Sequence, residues 1–288
     1  MRRLTLFVLA LCTVGGVFAQ SADSLAFATA RRHKMKVKGA EMYTISTDIF
    51  SAPQTISIVK FPLKDFIIKP NLPNQVATAS DQGLSCKADF AINACFWAMS
   101  KGVPTTYIKV DGVALSASHR AGLPRVNGLL LMHGDRLEVV PSTDMPEYDG
   151  LVEDCANVIA CGPVLIDNGK RVSYTHITTS QEPSMKKKIP FYIRRHPRSA
   201  VGCNDNGDIF LVVVDGRAKG YAHGVTIEEL TDICSWLGMT EALNLDGGGS
   251  STLWSKKHGV INHPSDNKMF DHEGERKVMS TLVVKRKK

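Results

Sequence analysis

Short apolar runs rich in β-branched residues, each followed by a turn signal, recur along most of the chain. Thr55 to Phe61 is one such run. Tyr107 to Val110 is separated from Val113 to Leu115 by Asp111-Gly112, a dipeptide typical of tight hairpins. The pattern recurs at Phe90 to Asn93, Gly128 to Met132, Leu137 to Val140, Pro163 to Ile166, Ser199 to Cys203, Asp208 to Val214, Ala242 to Leu245 and Val278 to Val284. Repeated hairpins favour antiparallel or mixed pairing.

The clearest helical pattern begins after Thr226. Its hydroxyl can accept a hydrogen bond from the first turn while Glu229 reaches back, the arrangement of a capping box. Apolar residues then recur at helical spacing, and Gly238 is placed to end the helix in a left-handed conformation. These apolar residues are Leu230, Ile233, Trp236 and Leu237, with Trp236 interpreted as core. A second helix is predicted over Ala77 to Leu84.

Strands outnumber helices, and no repeat or Pro/Ser-rich linker divides the chain. We therefore predict a single domain of the α+β (mixed α/β) class, with a large, mostly antiparallel or mixed sheet and few helices.

The first 19 residues have the pattern of a secretory signal peptide. Arg2 and Arg3 precede an apolar run from Leu4 to Val17, and Ala19 ends a Val-x-Ala cleavage pattern. The run is shorter than the roughly 20 apolar residues that span a bilayer. We expect export to the periplasm or the extracellular space, without stable membrane insertion. The segments are then a signal peptide over 1–19, a polar, loosely held N-terminal arm over 20–40 and a domain over 41–288.

The chain is basic, with a formal net charge of +7. The excess lies in Lys186 to Lys188, in Arg194-Arg195 and in the tail Lys285 to Lys288. Such runs are usually solvated faces, and the alternative is attraction to phosphate esters or acidic glycans. No zinc-finger or RNA-binding signature accompanies them, so no nucleic-acid partner is expected. The oligomeric state is left open.

Six cysteines follow the predicted signal peptide, an even number that permits up to three disulfides in an oxidising compartment. They are Cys86, Cys95, Cys155, Cys161, Cys203 and Cys234. Cys86 and Cys95 are close in sequence, as are Cys155 and Cys161. The alternative is that these residues are small buried hydrophobes, as free cysteines often are.

A glycine-rich loop follows one predicted strand. Asn244 lies at the end of this strand, and the chain continues with Asp246, Gly247, Gly248, Gly249, Ser250 and Ser251. Ordering three glycines costs much backbone entropy, so an ordered loop needs a compensating reason. Successive N–H groups could face an anion while the serine hydroxyls donate to it. The alternative is a solvent-exposed turn.

A second polar group is predicted at the same sheet edge. Arg198 begins one strand of a predicted hairpin, and Asp215-Gly216-Arg217 follows the other strand. An arginine can bind a phosphate through a planar pair of N–H donors, although Arg217 could equally form a surface ion pair.

The order of these motifs resembles the phosphodiester glycosidase family, which includes a lysosomal enzyme that removes N-acetylglucosamine from mannose 6-phosphate diesters. The resemblance covers roughly Thr55 to Val284. It rests on the blocks INACFW, IACGPVLIDNGK, HPRSAVG, VVVDGR, GVTIEELTDICSWLG, ALNLDGGGSSTL and VMSTLVV. The chain departs from the family pattern at Ala94 and Cys95, where glycines are usual, and at Cys161, which leaves the substrate open.

The resemblance implies a hydrolase that cleaves the glycosidic C1–O bond of a sugar 1-phosphodiester. Such a reaction needs a carboxylate near the anomeric carbon and a cationic or N–H-rich cradle for the departing phosphate. Asp215 and Asp246 are the predicted catalytic residues, and a carboxylate either activates water or attacks directly. The predicted substrate-binding residues are Asn93, Arg198, Arg217, Asn244, Gly247, Gly248, Gly249 and Ser250.

No cofactor or metal is expected to be required, and calcium remains an alternative without an EF-hand spacing. The expected partner is a sugar phosphodiester or another phosphate-bearing glycan. Two other functions stay open: an exported glycan-binding module with a degenerate site, and a serine hydrolase that uses Ser250 or Ser251. The second lacks a G-x-S-x-G motif.

Overall fold

A computed structural model describes residues 21–117, 125–142, 150 and 152–288. The predicted signal peptide lies outside these residues. In the described part of the chain, no helix is both long and apolar enough to cross a bilayer.

Strands make up most of the regular structure. In chain order they are β1 (Arg32–Met35), β2 (Glu41–Ile49), β3 (Ala52–Pro62), β4 (Phe66–Asn71), β5 (Phe90–Asn93), β6 (Trp97–Ala98), β7 (Val103–Pro104), β8 (Tyr107–Val110), β9 (Val113–Ala117), β10 (Gly128–Met132), β11 (Leu137–Pro141), β12 (Asn157–Cys161), β13 (Val164–Asp167), β14 (Lys170–Arg171), β15 (Arg198–Cys203), β16 (Asp208–Val214), β17 (Glu241–Asn244), β18 (Leu253–Ser255), β19 (Gly259–Val260) and β20 (Thr281–Arg286). The α-helices are α1 (Ala22–Thr29), α2 (Ala79–Ser85), α3 (Thr175–Thr178), α4 (Pro183–Lys186), α5 (Ile189–Ile193) and α6 (Ile227–Trp236).

The strands form three main sheets instead of one. The large sheet has the order β1-β2-β3-β16-β15-β17-β13-β14, and two five-stranded sheets have the orders β11-β10-β12-β8-β9 and β19-β18-β5-β20-β4. All strand pairings among the described residues are antiparallel. The predicted fold class, α+β with mostly antiparallel strands and few helices, is confirmed.

One face of the large sheet packs against the five-stranded sheets. Val59, Leu211 and Leu243 from the large sheet share this core with Leu129 and Ile92. The opposite face is covered by α1 and α6 through Ile45, Val212 and Leu230. Because both faces of the central strands are buried, β16 reads as a continuous apolar run rather than an alternating one.

The capping box of α6 forms as predicted. The Thr226 hydroxyl accepts from the Glu229 amide at 3.1 Å, and the Glu229 carboxylate accepts from the Thr226 amide at 2.9 Å. Trp236 packs between Phe27 and Phe50, with ring centroids 5.5 and 5.4 Å away, so it belongs to the core. The predicted second helix begins two residues later than expected, because Thr78 caps it.

The N-terminal arm differs from its predicted loose state. Ser21 caps α1, and Phe27 is only 2% exposed against the core under the large sheet. β1 then pairs with β2 from Arg32 to Met35 and forms the edge of that sheet. Phe27 and the backbone hydrogen bonds between β1 and β2 together hold this segment in place. Its polar composition alone does not predict either contact.

The glycine loop, Arg198 and Asp215 come to one end of the large sheet. Arg198 pairs with Val214 in the β15–β16 ladder, and Asn244 pairs with Ala200 in the β15–β17 ladder. Asp215 directly follows β16. This register explains why motifs far apart in sequence meet.

All six described cysteines are free, and all except Cys86 are buried. Burial raises the pKa of Cys95 and of Cys234 to about 12. Thiols of this kind react slowly in the folded protein, because the thiolate is the reactive form.

We expect six reactive thiols when the described part of the chain is unfolded in denaturant without reductant, and rapid reaction of Cys86 alone in the native protein. Titration with a chromogenic disulfide reagent measures both numbers. Four or fewer thiols in denaturant would show a disulfide, contrary to this structure.

Candidate active site

The glycine loop lies close to neighbouring groups on both sides. Gly248 has a φ of +65°, and its N–H donates to the Pro197 carbonyl at 2.8 Å. A Cβ on Gly248 would lie 2.8 Å from Nη2 of Arg217, and a Cβ on Gly249 would overlap the Arg276 guanidinium. The glycines therefore let two arginines approach the loop.

The predicted anion cradle requires the loop amides to face outward, and at least two of them do not. The Gly247 N–H donates to Oδ1 of Asp246 at 2.9 Å, and the Gly248 N–H is bound to Pro197. These two amides are therefore occupied within the protein. Their role is to shape the loop and to hold the Asp246 carboxylate.

Asp246 is half-buried in a cleft of about 190 Å³. Burial raises the pKa of Asp246 to about 6, although hydrogen bonds from Ser250 and Gly247 and the charges of Arg125 and Arg276 act in the opposite direction. A carboxyl group with this pKa exchanges its proton near neutral pH, as general acid–base catalysis requires.

The cleft combines one carboxylate with two guanidinium groups and an apolar wall. Its lining residues are Phe96, Trp97, Met99, Thr105, Arg125, Asp246, Ser250 and Arg276. Among these described residues Asp246 is the only carboxylate. The predicted members Asp246 and Ser250 are therefore brought together, with Arg217 beside the loop.

Arg125 is the most available cation of the cleft. Its Nε is buried and has no hydrogen-bond partner in the described structure. Its guanidinium carbon lies 4.6 Å from the ring centroid of Phe96 and 5.1 Å from that of Phe191, so the group packs against two aromatic rings that meet edge to face. A buried Nε with an unused donor favours an anionic ligand.

Arg276 contributes a second positive charge, shared with Asp266. Nε of Arg276 donates to Oδ1 of Asp266 at 3.0 Å, and Nη2 donates to the same oxygen. Partial burial and the neighbouring Arg276 lower the pKa of Arg217, while Asp266 raises it. Three guanidinium groups thus surround the glycine loop, and one carboxylate outside the cleft balances part of their charge.

Arg198 has a structural position that differs from its predicted role. It is 2% exposed, and its guanidinium donates to three backbone carbonyls, those of Val225 at 3.1 Å, Phe191 at 2.7 Å and Arg194 at 3.0 Å. Burial lowers the pKa of Arg198 to about 10. With these donors engaged, Arg198 secures α5 and does not line the cleft.

Asp215 also lies outside the cleft, contrary to its predicted catalytic role. It is 1% exposed and accepts from Nδ2 of Asn262 at 3.1 Å and from the His263 amide at 3.0 Å. Nδ1 of His263 lies 2.8 Å from the other carboxylate oxygen. The carboxylate is saturated with donors, so it anchors the segment around His263.

The two asparagines predicted to bind sugar hydroxyls are buried scaffold residues. Nδ2 of Asn93 donates to the Asp246 carbonyl at 2.6 Å, and Nδ2 of Asn244 donates to the carbonyls of Gly162 at 2.8 Å and Leu245 at 2.7 Å. Both side chains hold backbone at the entrance to the loop. They position Asp246 and are not exposed to a ligand.

Sequence reasoning missed Arg125, Arg276 and Phe96 as site residues. Phe96 lies in the INACFW block, so this motif lies at the cleft. Arg125 and Arg276 lie outside the sequence blocks that carry the family resemblance, and only the tertiary fold brings them to Asp246. The described residues contain no cluster of three or more His, Cys, Asp or Glu placed to hold a metal ion.

The sequence profile of the phosphodiester glycosidase family matches residues 87–285. The chain belongs to this family. The matched region contains the whole cleft around Asp246, including Phe96, Arg125 and Arg276.

Solved structures share the fold of this phosphodiester glycosidase family member. A zebrafish N-acetylglucosamine-1-phosphodiester alpha-N-acetylglucosaminidase catalytic domain, described as auto-inhibited by its pro-peptide, aligns with a TM-score of 0.68 at 16% identity, over 93% of this chain and 92% of that one. A hypothetical protein from Synechocystis aligns with a TM-score of 0.67 at 16% identity, over 88% of this chain and 63% of that one. A putative exported protein from Burkholderia pseudomallei aligns with a TM-score of 0.55 at 17% identity, over 82% and 74% of the two chains.

A curated relative is the SPbeta prophage-derived uncharacterized protein YomE of Bacillus subtilis, which is 28% identical over 194 residues. The match covers 67% of this chain but spans only 27% of the length of that relative.

Two buried cysteines lie near Asp246 but outside the lining of the cleft. Cys95 and Cys161 are 3% and 0% exposed, and burial raises the pKa of both thiols. Cys161 directs its thiol to the Ala94 carbonyl at 3.9 Å. Both residues therefore act as packing, and neither supplies a nucleophile.

We expect Arg198→Ala to lower the free energy of unfolding by about 3 kcal/mol, because three buried carbonyls lose their donor and a cavity forms. Urea denaturation measures the change. The exposed neighbour Arg194 provides a control, since Arg194→Ala should change stability by less than about 0.5 kcal/mol. Equal stabilities of the two variants would show that Arg198 has no structural role.

Proposed function

We propose that this protein hydrolyses the glycosidic C1–O bond of a sugar 1-phosphodiester and releases a sugar and a phosphate monoester. The observation that carries the proposal is the pairing of one carboxyl group, Asp246, with the available guanidinium of Arg125 in one cleft. Membership of the phosphodiester glycosidase family supports the same reaction class.

Asp246 acts as the general base in this proposal. Its pKa of about 6 makes the carboxylate the main form at neutral pH, and a raised pKa increases its basicity toward a water proton. The Gly247 amide and Ser250 hold the carboxylate in position through hydrogen bonds. A single carboxylate suffices because phosphate is a good leaving group, so protonation of the departing oxygen contributes little.

Arg125 and Arg276 bind the departing phosphate. Negative charge grows on the bridging oxygen as the C1–O bond breaks, and a guanidinium in a partly desolvated cleft stabilises that charge more strongly than water does. Arg125 supplies an unused donor, while Arg276 is held by Asp266. Phe96 keeps the Arg125 plane fixed from one side.

The step balances as follows. Water attacks the anomeric carbon, its proton passes to Asp246, and the C1–O bond breaks with its electron pair on the phosphate oxygen. The products are the free sugar and a phosphate monoester. In this mechanism the attack inverts the configuration at C1.

A panel of sugar 1-phosphodiesters, including nucleotide sugars, tests the proposal through release of the phosphate monoester. Turnover of at least one class by wild type, and its loss in Asp246→Asn, supports it. Binding of the same compounds with no turnover would instead identify a glycan-binding module.

Export remains a prediction from the sequence, and it fits a substrate found on surface or extracellular glycans. The polar, phosphate-bearing substrate also fits the basic character of the chain.

The pH profile of kcat/KM should fall on the acid side with an apparent pKa of about 6. The catalytic form of Asp246 is the carboxylate, so activity is full above this pKa and drops about tenfold per unit below it. Asp246→Asn should lower kcat by about 10²- to 10⁴-fold and abolish the acid limb. Asp48→Asn, on an exposed carboxylate of β2, should leave both kcat and the acid limb of the pH profile unchanged. An acid limb retained in the Asp246 variant would assign it to another group.

Arg125→Gln should lower kcat/KM for a sugar phosphodiester by about 100-fold, because the leaving phosphate loses a charged donor. An aryl glycoside without phosphate should be a poor substrate for wild type and should respond by less than about threefold. Arg136→Gln, at an exposed turn, is the matched control. Steady-state kinetics on both substrates and a melting temperature separate a catalytic loss from unfolding. Equal losses on the two substrates would contradict a phosphate-binding role.

A further inference from the structure

A second, larger cleft lies between the edge of the large sheet and the segment 258–272. Its volume is about 730 Å³, within the usual range for a small organic ligand. Four histidines and one arginine line it, and the described lining includes no carboxylate. This histidine cleft is lined by Arg31, His33, Met35, Thr44, Ser46, His258, Val260, Ile261, His263 and His272.

Three of the histidines have one ring nitrogen engaged by the protein. Nδ1 of His263 lies 2.8 Å from the Asp215 carboxylate, Nδ1 of His272 lies 2.7 Å from the Asn262 carbonyl, and Nε2 of His258 lies 3.1 Å from the Lys36 carbonyl. Each of these oxygens accepts only, so the facing nitrogen carries a proton. The other nitrogen of each ring has no partner among the described residues, so it can form a hydrogen bond with a ligand.

An aromatic stack holds two of these rings in place. The His263 centroid is 3.9 Å from that of Phe270 and 4.5 Å from that of His272. Tyr221 continues the stack at 4.9 Å from Phe270. Because Asp215 anchors His263 from behind, the imidazoles are ordered before any ligand binds, which lowers the entropic cost of binding.

The charges around the histidines are mainly positive. Arg31 and His33 come from the β1 side, while Thr44 and Ser46 on β2 bring hydroxyl groups. Asp215 is the buried counter-charge of His263. Asp271 and Glu273 flank His272 in the sequence and lie outside the lining.

The Asp271 carboxylate accepts hydrogen bonds within its own loop. Hydrogen bonds from Asn267 and the Glu273 amide lower the pKa of its carboxyl group, and the neighbouring His272 and His263 act in the same direction. It therefore stays ionised and offsets one positive charge at most. The described lining itself carries one guanidinium, that of Arg31, and no carboxylate.

The lining also includes apolar residues. Met35, Val260 and Ile261 contribute to it together with the two hydroxyl residues. Thr44 shares a hydrogen bond of 3.4 Å with Ser57, and Ser46 one of 3.3 Å with Thr55, so each hydroxyl keeps some capacity for a ligand. A ligand with one oxyanion and a body about as large as a sugar matches this mixed lining and the volume of the cleft.

We propose that the histidine cleft is a second binding site, distinct from the cleft of Asp246, for an organic oxyanion that bears a phosphate or a carboxylate. The site requires no turnover, and it does not depend on the proposed hydrolase reaction. Its ligand chemistry follows from the Arg31 guanidinium, the two hydroxyl groups and the free imidazole nitrogens.

Three forms of one sugar test the proposal: glucose 6-phosphate, glucuronate and glucose, each titrated into the full protein by calorimetry. The two anions should bind and glucose should not. Both anions should bind at least about tenfold more tightly than glucose, because only they offer a charge to the Arg31 guanidinium. Equal affinities for glucose and the two anions would overturn the proposal.

A pair of variants on one strand locates the site. Arg31→Ala with His33→Gln removes two lining residues and should weaken anion binding at least about tenfold, while turnover of any phosphodiester stays unchanged. Arg32→Gln with Lys34→Gln alters the alternate positions of the same strand and should have little effect, since neither residue lines the cleft and Arg32 lies over the Tyr43 ring at 5.0 Å. Loss of binding in the second pair alone would refute the assignment.

Arg125→Gln distinguishes the two clefts. The variant should keep the anion binding and the shifts of the histidine ring protons in NMR spectra, because Arg125 lines only the cleft of Asp246. If Arg125→Gln abolished binding and the ring protons did not respond to ligand, the anion would occupy the cleft of Asp246 and the proposal would be wrong.

Discussion

The buried side chain of Asn93 joins two sheets at the point where the candidate active site is built. Its Nδ2 donates to the Asp246 carbonyl at 2.6 Å, and its Oδ1 accepts from the Ser199 hydroxyl at 2.7 Å and from the Thr252 amide at 3.1 Å. Asn93 ends β5, Ser199 belongs to β15, and Thr252 leads into β18. A fully buried amide must satisfy its donors and acceptors within the protein, so these bonds fix where the glycine loop begins. The position of Asp246 depends on this junction.

Arg125 and Arg198 have different roles in the electrostatics of the cleft. Phe191 lies within 5.1 Å of the Arg125 guanidinium and 4.9 Å of that of Arg198. The Arg198 guanidinium donates hydrogen bonds to backbone carbonyls, including that of Phe191 itself, whereas Nε of Arg125 has no partner. The buried arginine thus positions the aromatic ring that supports the available one. Burying a cation without a carboxylate is costly, and the three carbonyl acceptors offset that cost for Arg198.

The sequence predicts the strands and the capped helix well, because hydrophobic periodicity and the Thr226–Glu229 box are local signals. It also predicts which motifs meet, since Arg198, Asp215 and Asp246 all follow or begin neighbouring strands. It could not predict which polar side chains face the cleft. Whether an arginine donates to a carbonyl or to a ligand depends on the packing around its guanidinium group. Arg125 lies in a loop outside the predicted strands and helices, so no periodic pattern predicts that it lines the cleft. The N-terminal arm differs for a similar reason, since one phenylalanine in a polar segment gives no periodic signal.

The central claim is that bond cleavage occurs between C1 and oxygen, with water added to the sugar. Hydrolysis of a responsive phosphodiester in ¹⁸O-labelled water, followed by mass spectrometry of both products, tests it most directly. The account predicts that the label enters the sugar at C1 and that the phosphate monoester remains unlabelled. Label in the phosphate would show P–O cleavage and would contradict the assignment of Asp246 and Arg125 to a glycosidic reaction.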